Sequence, residues 1–164
     1  MSRYLVFGVI LILAFGCKSR KQLQEEGVEL PPPPVSEIID LPSDTLIWYR
    51  RTACFGQCPS FDFYVQRDGK AFYEGRNFVD LIGTYQGTAD LKEIQRVIEI
   101  SDELGYQELE GKYDNQFISD LPSTQTIILG KMVLNRYQGP DLRKLYNGID
   151  SVIVKIDWRP YKEE

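Results

Sequence analysis

The chain has 164 residues, 43% hydrophobic and 26% charged, with 19 Lys and Arg against 24 Asp and Glu and a net charge of -5. That composition fits one globular domain: it is too apolar for a disordered chain, and three cysteines are too few to hold a disulfide-dense miniprotein. The absence of histidine removes Ser-His and Cys-His catalysis, the common imidazole ligand of zinc and copper, and the usual titrating switch between about pH 5 and 8.

Arg3 is followed by an uncharged run from Tyr4 to Phe15, then Gly16 and Cys17. As a helix that run reaches about 18 Å, short of the roughly 30 Å hydrocarbon core of a bilayer. A charged start, a short apolar centre and small residues before the processing point are the pattern of a secretory signal peptide over residues 1–16. Ala14-Phe15-Gly16-Cys17 resembles a bacterial lipobox, which implies a diacylated Cys17 bearing palmitate-like chains. It departs from the common form at Ala14, where leucine is more usual. The competing reading is a simply secreted segment with a spare cysteine. Removing residues 1–16 takes away Arg3 and no acid, leaving 18 basic against 24 acidic side chains. An acidic domain without a basic stripe is repelled by phosphates, so no nucleic-acid partner is expected. Lys18, Arg20 and Lys21 sit beside the expected lipid, where anionic headgroups account for them. The expected address is therefore the cell envelope, as an outer-membrane lipoprotein held by its lipid anchor, with the periplasmic or surface face left open.

Residues 17–44 read as the lipidated start and a tether. Four prolines at 31–34 favour polyproline II, and the 27 residues from Lys18 to Asp44 at about 3.1 Å each reach at most about 80 Å. Ile38, Ile39 and Leu41 are expected to begin docking on the domain that follows.

Residues 45–164 form the single expected globular domain. Thr45 to Thr52 is rich in branched and aromatic residues and reads as a strand. Phe61, Phe63 and Val65 alternate with Asp62, Tyr64 and Gln66, and Asp68-Gly69 predicts a two-residue type I′ turn into a returning strand, Lys70 to Gly75. That register places Val65 opposite Phe72 and Tyr64 opposite Tyr73, so that one face carries two tyrosines. A further extended piece is expected near Phe78 to Tyr85. From Asp90, the spacing of Leu91, Ile94, Val97, Ile98 and Leu104 predicts a helix, with Asp90 and Glu93 as a capping box and Gly105 as its left-handed stop. Thr124 to Leu129 and Lys131 to Tyr137 predict a second hairpin around Gly130-Lys131, with Ile127, Leu129, Met132 and Leu134 on one face. Pro140 opens a last helix with Leu142, Leu145, Tyr146, Ile149, Val152, Ile153 and Ile156 as its stripe, interrupted by Asn147-Gly148. The expected fold class is α+β: an antiparallel sheet of two hairpins plus an N-terminal strand, covered on one face by two amphipathic helices.

Cys54-Phe55-Gly56-Gln57-Cys58-Pro59 is the most distinctive local feature. In an oxidising envelope, Cys54 and Cys58 are most simply a disulfide. A redox dithiol would use C-x-x-C at a helix start, and zinc would need two further ligands without histidine. Arg51-Thr52-Ala53-Cys54-Phe55-Gly56-Gln57-Cys58-Pro59, with Asp68-Gly69, Tyr73-Glu74-Gly75 and Asp120-Leu121-Pro122-Ser123, resembles a domain-of-unknown-function family common in Bacteroidota lipoproteins. That family opens on an R-T-x-C-[FY]-G-x-C-P motif. The resemblance covers roughly residues 47–155 and implies a small envelope domain with no established activity, so no catalytic residue carries over. No cofactor or metal ligand is expected.

The aromatic content suggests binding: Tyr64, Tyr73 and Tyr113, with Tyr85 and Tyr106, are candidates to line a face for peptide or glycan, with Asp120 beside them. Packing is the competing explanation for each. Asp114, Asp120 and Asp141 supply carboxylates for a hydrolase acting on envelope polymers, and the cysteine pair suggests a thiol-dependent factor. The expected function is a lipid-anchored binding or structural module rather than an enzyme, with an envelope protein, peptide or glycan as partner.

Overall fold

The computed structural model describes residues 41–115, 117–118 and 120–162. The chain divides between Pro33 and Pro34, and every described residue belongs to the second unit. The expected signal peptide, Cys17, the proline run, Ile38 and Ile39 lie outside the described residues.

The elements in chain order are β1 (Thr45–Arg51), β2 (Ser60–Gln66), β3 (Lys70–Asn77), β4 (Gly83–Thr88), α1 (Leu91–Glu103), a 3-10 turn (Tyr106–Glu108), β5 (Lys112–Tyr113), β6 (Thr124–Ile128), β7 (Lys131–Asn135), α2 (Arg143–Lys155) and β8 (Arg159–Pro160). They build an open eight-stranded sheet in the order β5-β7-β6-β1-β2-β3-β4-β8. Every pairing is antiparallel except that of β5 with β7. The expected α+β class holds, with β1 joining the two hairpins at the centre of the sheet. Two-residue strands close both sides, so little unpaired edge is offered to another chain.

Both hairpin registers differ from expectation. In the first, Val65 pairs with Ala71, Tyr64 with Phe72 and Phe63 with Tyr73. The loop has three residues: the Gly69 N–H donates to the Gln66 carbonyl at 3.0 Å, and Gly69 sits at φ +87°. That is a type I turn closed by a left-handed glycine, which shifts the pairing by one and sends Tyr73 and Tyr64 to opposite faces. In the second, Leu129 (φ +50°) and Gly130 (φ +86°) both take positive φ, and Ile128 pairs with Lys131. The turn is thus type I′ and sits one residue earlier than expected, leaving Leu129 at its exposed tip. Ile127, Met132 and Leu134 still share a face, but it is the face away from the helices. Thr126, Ile128 and Val133 face the core instead.

Three cross-strand rows build that core. Ile128, Ile47, Val65 and Ala71 form the first, and Val133, Thr126, Tyr49, Phe63 and Tyr73 the second. Thr124, Arg51, Phe61 and Gly75 form the third, nearest one end of the sheet. Ile94 and Val97 of α1 pack on the rows, as do Leu145, Ile149 and Val152 of α2. Leu91, expected on the apolar stripe, is exposed. Asp90 caps α1 through the Lys92 N–H at 2.9 Å. Glu93 pairs with Arg96 and Lys155 in place of the expected return bond, and Gly105 stops the helix at φ +62°. Asn147-Gly148 does not interrupt α2, which runs through both residues; a Cβ at Gly148 would come within 3.3 Å of Ile100 Cδ1, so the small residue lets the two helices approach. The strand expected near Phe78 to Tyr85 begins only at Gly83, since residues 78–82 fold over the sheet as a loop.

Candidate functional site

Strand direction gathers several chain segments at one end of the sheet. β1 ends there at Arg51, β2 begins at Ser60, β3 ends at Asn77, β4 begins at Gly83 and β6 begins at Thr124. Most of the residues that carried the family resemblance meet at this end. The Thr52 N–H donates to the Ser123 carbonyl at 3.0 Å, and the Ser123 N–H donates to Thr52 Oγ1 at 2.8 Å. Arg-Thr at the end of β1 is therefore tied to the Asp-Leu-Pro-Ser segment that leads into β6. Cys54 and Cys58 face each other at disulfide-bonding distance, with Cα atoms 5.7 Å apart. The five-residue loop they close carries Phe55, 90% exposed, and delivers Pro59 to the head of β2.

Gly75 explains the wall beside them. A Cβ at this position would lie 1.8 Å from the Leu81 carbonyl oxygen and 2.9 Å from Val79 Cγ2. Its absence lets the 78–82 loop fold down onto the core face of β3. At the head of that loop Phe78 sits at φ +54° and is 58% exposed. A left-handed conformation costs a residue with a Cβ roughly 1–2 kcal/mol, so the loop presents this ring at some conformational cost.

Between the loop, the strand ends and α2 lies a groove of about 440 Å³. Phe61, Val79, Leu81, Ile153 and Trp158 supply apolar walls, and Val154, 84% exposed, stands at the rim. Arg51 lies within it, donating through Nε to the Tyr49 hydroxyl at 2.5 Å and through a terminal nitrogen to Asp150 Oδ2 at 2.9 Å. Its guanidinium also lies over the Tyr49 and Phe61 rings, at 5.4 and 6.0 Å. Burial raises the Asp150 carboxyl above the ordinary range, against the opposing pull of Arg51 and the Tyr49 hydroxyl. Tyr73 lines the groove as well, its hydroxyl pushed up to about 12 by burial and by the charges of Asp80 and Asp150. The groove thus offers two carboxylates and one guanidinium among apolar walls.

The residues expected to form a binding face are not gathered in one place. Tyr73 lines the groove on the helix side of the sheet, while Tyr64 stacks on Phe72 at 4.8 Å on the opposite face. Tyr113 lies on β5 at the far edge, where its hydroxyl accepts the Glu110 N–H at 3.0 Å. Asp120 is exposed in the loop before β6. Tyr106 is fully buried and bonded to Thr126 at 2.7 Å, a packing role, and the Tyr85 hydroxyl donates to the Ile82 carbonyl at 3.1 Å. Asp114 pairs with Arg136 and Lys112, and Asp141 with Arg143, whose guanidinium holds its carboxyl down to about 2. Among the described residues, no cluster of three or more acids or cysteines is arranged to hold a metal ion. Arg51, Asp80 and Asp150 were not singled out as site residues. Arg51 had a signal in its motif, whereas the two acids had none.

No curated protein matches the chain. A family model described as a domain of unknown function, DUF6438, matches residues 45–153, a span that contains the disulfide loop, the Gly75 wall and Asp150. The chain belongs to the DUF6438 family.

Proposed function

We propose that this chain is an exported lipoprotein of the cell envelope, anchored through Cys17, whose domain is a binding module. On this reading it presents the groove at the motif end of the sheet to an envelope protein or peptide. The observation that carries the binding role is the groove itself, with its strained and exposed Phe78 and its exposed Val154. Exposed apolar side chains grouped at a concave surface mark an interaction site more often than scattered ones do. Asp80 and Asp150 outnumber Arg51 there, which favours an apolar segment carrying a basic group. The anchor rests on the signal pattern and the lipobox resemblance, and the tether of residues 17–44 gives the domain reach above a bilayer.

Native membranes carrying a tagged wild-type chain are expected to yield a crosslinked partner that F78D/V154D loses, both positions being exposed enough to accept the change. A partner retained equally by the variant would refute the groove. C17S is expected to move the protein from the membrane to the soluble fraction, and continued membrane retention would refute the anchor.

Asp80 and Asp150 share one groove, which is the observation that favours the second reading, a carboxylate-dependent hydrolase. The ion pair of Asp150 with Arg51 favours binding. D80N separates the two, since it would abolish turnover of an envelope polymer but only weaken capture. Against a thiol-dependent factor, C54S/C58S is expected to lose about 2 kcal/mol of stability, the chain-entropy value for so short a loop, while partner capture persists below the melting point. Loss of capture with an intact fold would favour the thiol role.

A further inference from the structure

The three charged groups of the groove differ in their partners. Arg51 and Asp150 hold each other at 2.9 Å, and the Arg51 guanidinium lies 6.0 Å from the Phe61 ring. Asp80 is exposed, and among the described residues no cation pairs with it. One guanidinium against two carboxylates leaves the groove a single formal negative charge, and that charge sits at Asp80.

The 78–82 loop holds this carboxylate in a defined setting. Val79 and Leu81 are half-buried beside Gly75, whereas Phe78, Asp80 and Ile82 are exposed. The acid therefore stands between two apolar side chains that are each 58% exposed. The Tyr85 hydroxyl fastens the far end of the loop by donating to the Ile82 carbonyl at 3.1 Å. Deeper in the groove, the Tyr73 ring lies 5.3 Å from Phe61 and 5.6 Å from Trp158. The charge of Asp80 is felt at the Tyr73 hydroxyl. The Trp158 indole N–H donates to the Ile153 carbonyl at 2.9 Å, so its ring lines the groove as apolar surface.

A carboxylate beside aromatic walls suits an organic cation, which gains from the ion pair and from the ring faces together. Arg51, set between Asp150 and Phe61, is such a pairing within the chain itself. The long stems of lysine and arginine cover apolar surface while their heads stay at a charge. An acidic segment would be repelled by Asp80, and a second basic side chain would be set against Arg51.

We propose that Asp80 is the specificity-determining residue of the groove, which takes a polypeptide segment carrying one lysine or arginine between apolar residues. The basic head pairs with Asp80, its stem lies along Tyr73 and Trp158, and the flanking apolar side chains rest on Phe78 and Ile82. This inference rests on the reading of the groove as the binding surface.

The full-length chain labelled with 5-fluorotryptophan tests it, because one of its two tryptophans lines the groove and Trp48, beside Tyr64 on the opposite face, serves as an internal control. The probes are two acetylated and amidated tripeptides, Leu-Lys-Leu and the uncharged analogue with norleucine at its centre. Both are expected to move the Trp158 resonance and leave Trp48 in place. The lysine peptide should bind about fivefold more tightly, the upper end for a part-exposed ion pair. In D80N that preference should vanish while the affinity for the norleucine peptide is unchanged. Equal binding of both peptides by the wild-type chain would overturn the role of Asp80 and leave the groove reading standing, and so would a lysine preference that survives in D80N. If neither peptide moves Trp158, the groove reading falls and the inference falls with it.

Discussion

Replacing Gly75 with alanine is expected to destabilise the domain by about 3 kcal/mol or more, the upper end of what one added methyl costs in a packed site. Flexible side chains can swing away from a new methyl. Here the obstruction is the Leu81 carbonyl oxygen, 1.8 Å from where the Cβ would lie, with Val79 Cγ2 behind it at 2.9 Å. Relief requires lifting the 78–82 loop off β3, which would also dismantle the wall that carries Phe78, Val79 and Leu81. Urea unfolding should show a lower midpoint with an unchanged slope, and partner capture should fall even where the variant remains folded. An alanine variant as stable as wild type would mean that the loop does not rest on β3.

Tyr49→Ala is expected to cost about 3–5 kcal/mol, the range for deleting a buried aromatic side chain. Tyr49 is fully buried in the central strand, 5.4 Å from the Phe61 ring and 5.9 Å from Tyr146. Its hydroxyl accepts from Arg51, so truncation also releases the guanidinium that lies over it. Tyr49→Phe isolates the hydroxyl and should cost only about 1 kcal/mol. The same pair of variants fixes the alkaline behaviour. Burial raises the Tyr49 and Tyr106 hydroxyls above the ordinary 10.0. The folded state then keeps protons that the unfolded chain releases, so stability is intact below pH 10 and falls as pH rises beyond it. The slope is at most about 1.4 kcal/mol per pH unit for each tyrosine. Stability curves from pH 9 to 11.5 should be shallower for Tyr49→Phe by one such contribution, and equal slopes would contradict the assignment.

The elements were legible wherever period and capping agreed. The alternation of Phe61, Phe63 and Val65 placed β2, and the stripe from Leu142 to Ile156 placed α2. Register was less legible. Asp68-Gly69 marks a positive-φ glycine in both a two-residue and a three-residue loop, and the two-residue form puts Tyr73 on the wrong face. Leu129 at φ +50° is not a residue that turn chemistry anticipates, so the sequence predicts the second turn one position late. The groove was the least legible part. Arg51 and Asp150 are 99 residues apart in sequence, and the reason for Gly75 lies in a loop that reaches β3 only in the folded chain. Among the tyrosines, composition marked an abundance but not which face each would take.

The most direct test of the groove as the functional surface is photo-crosslinking in living cells. A photoreactive residue is placed singly at position 78 on the groove, at 129 on the opposite turn, and at 72 on the outer face. A discrete adduct at 78, absent at 129 and 72, is the predicted result. Adducts at 72 or 129 with none at 78 would contradict the account and move the binding surface elsewhere on the sheet.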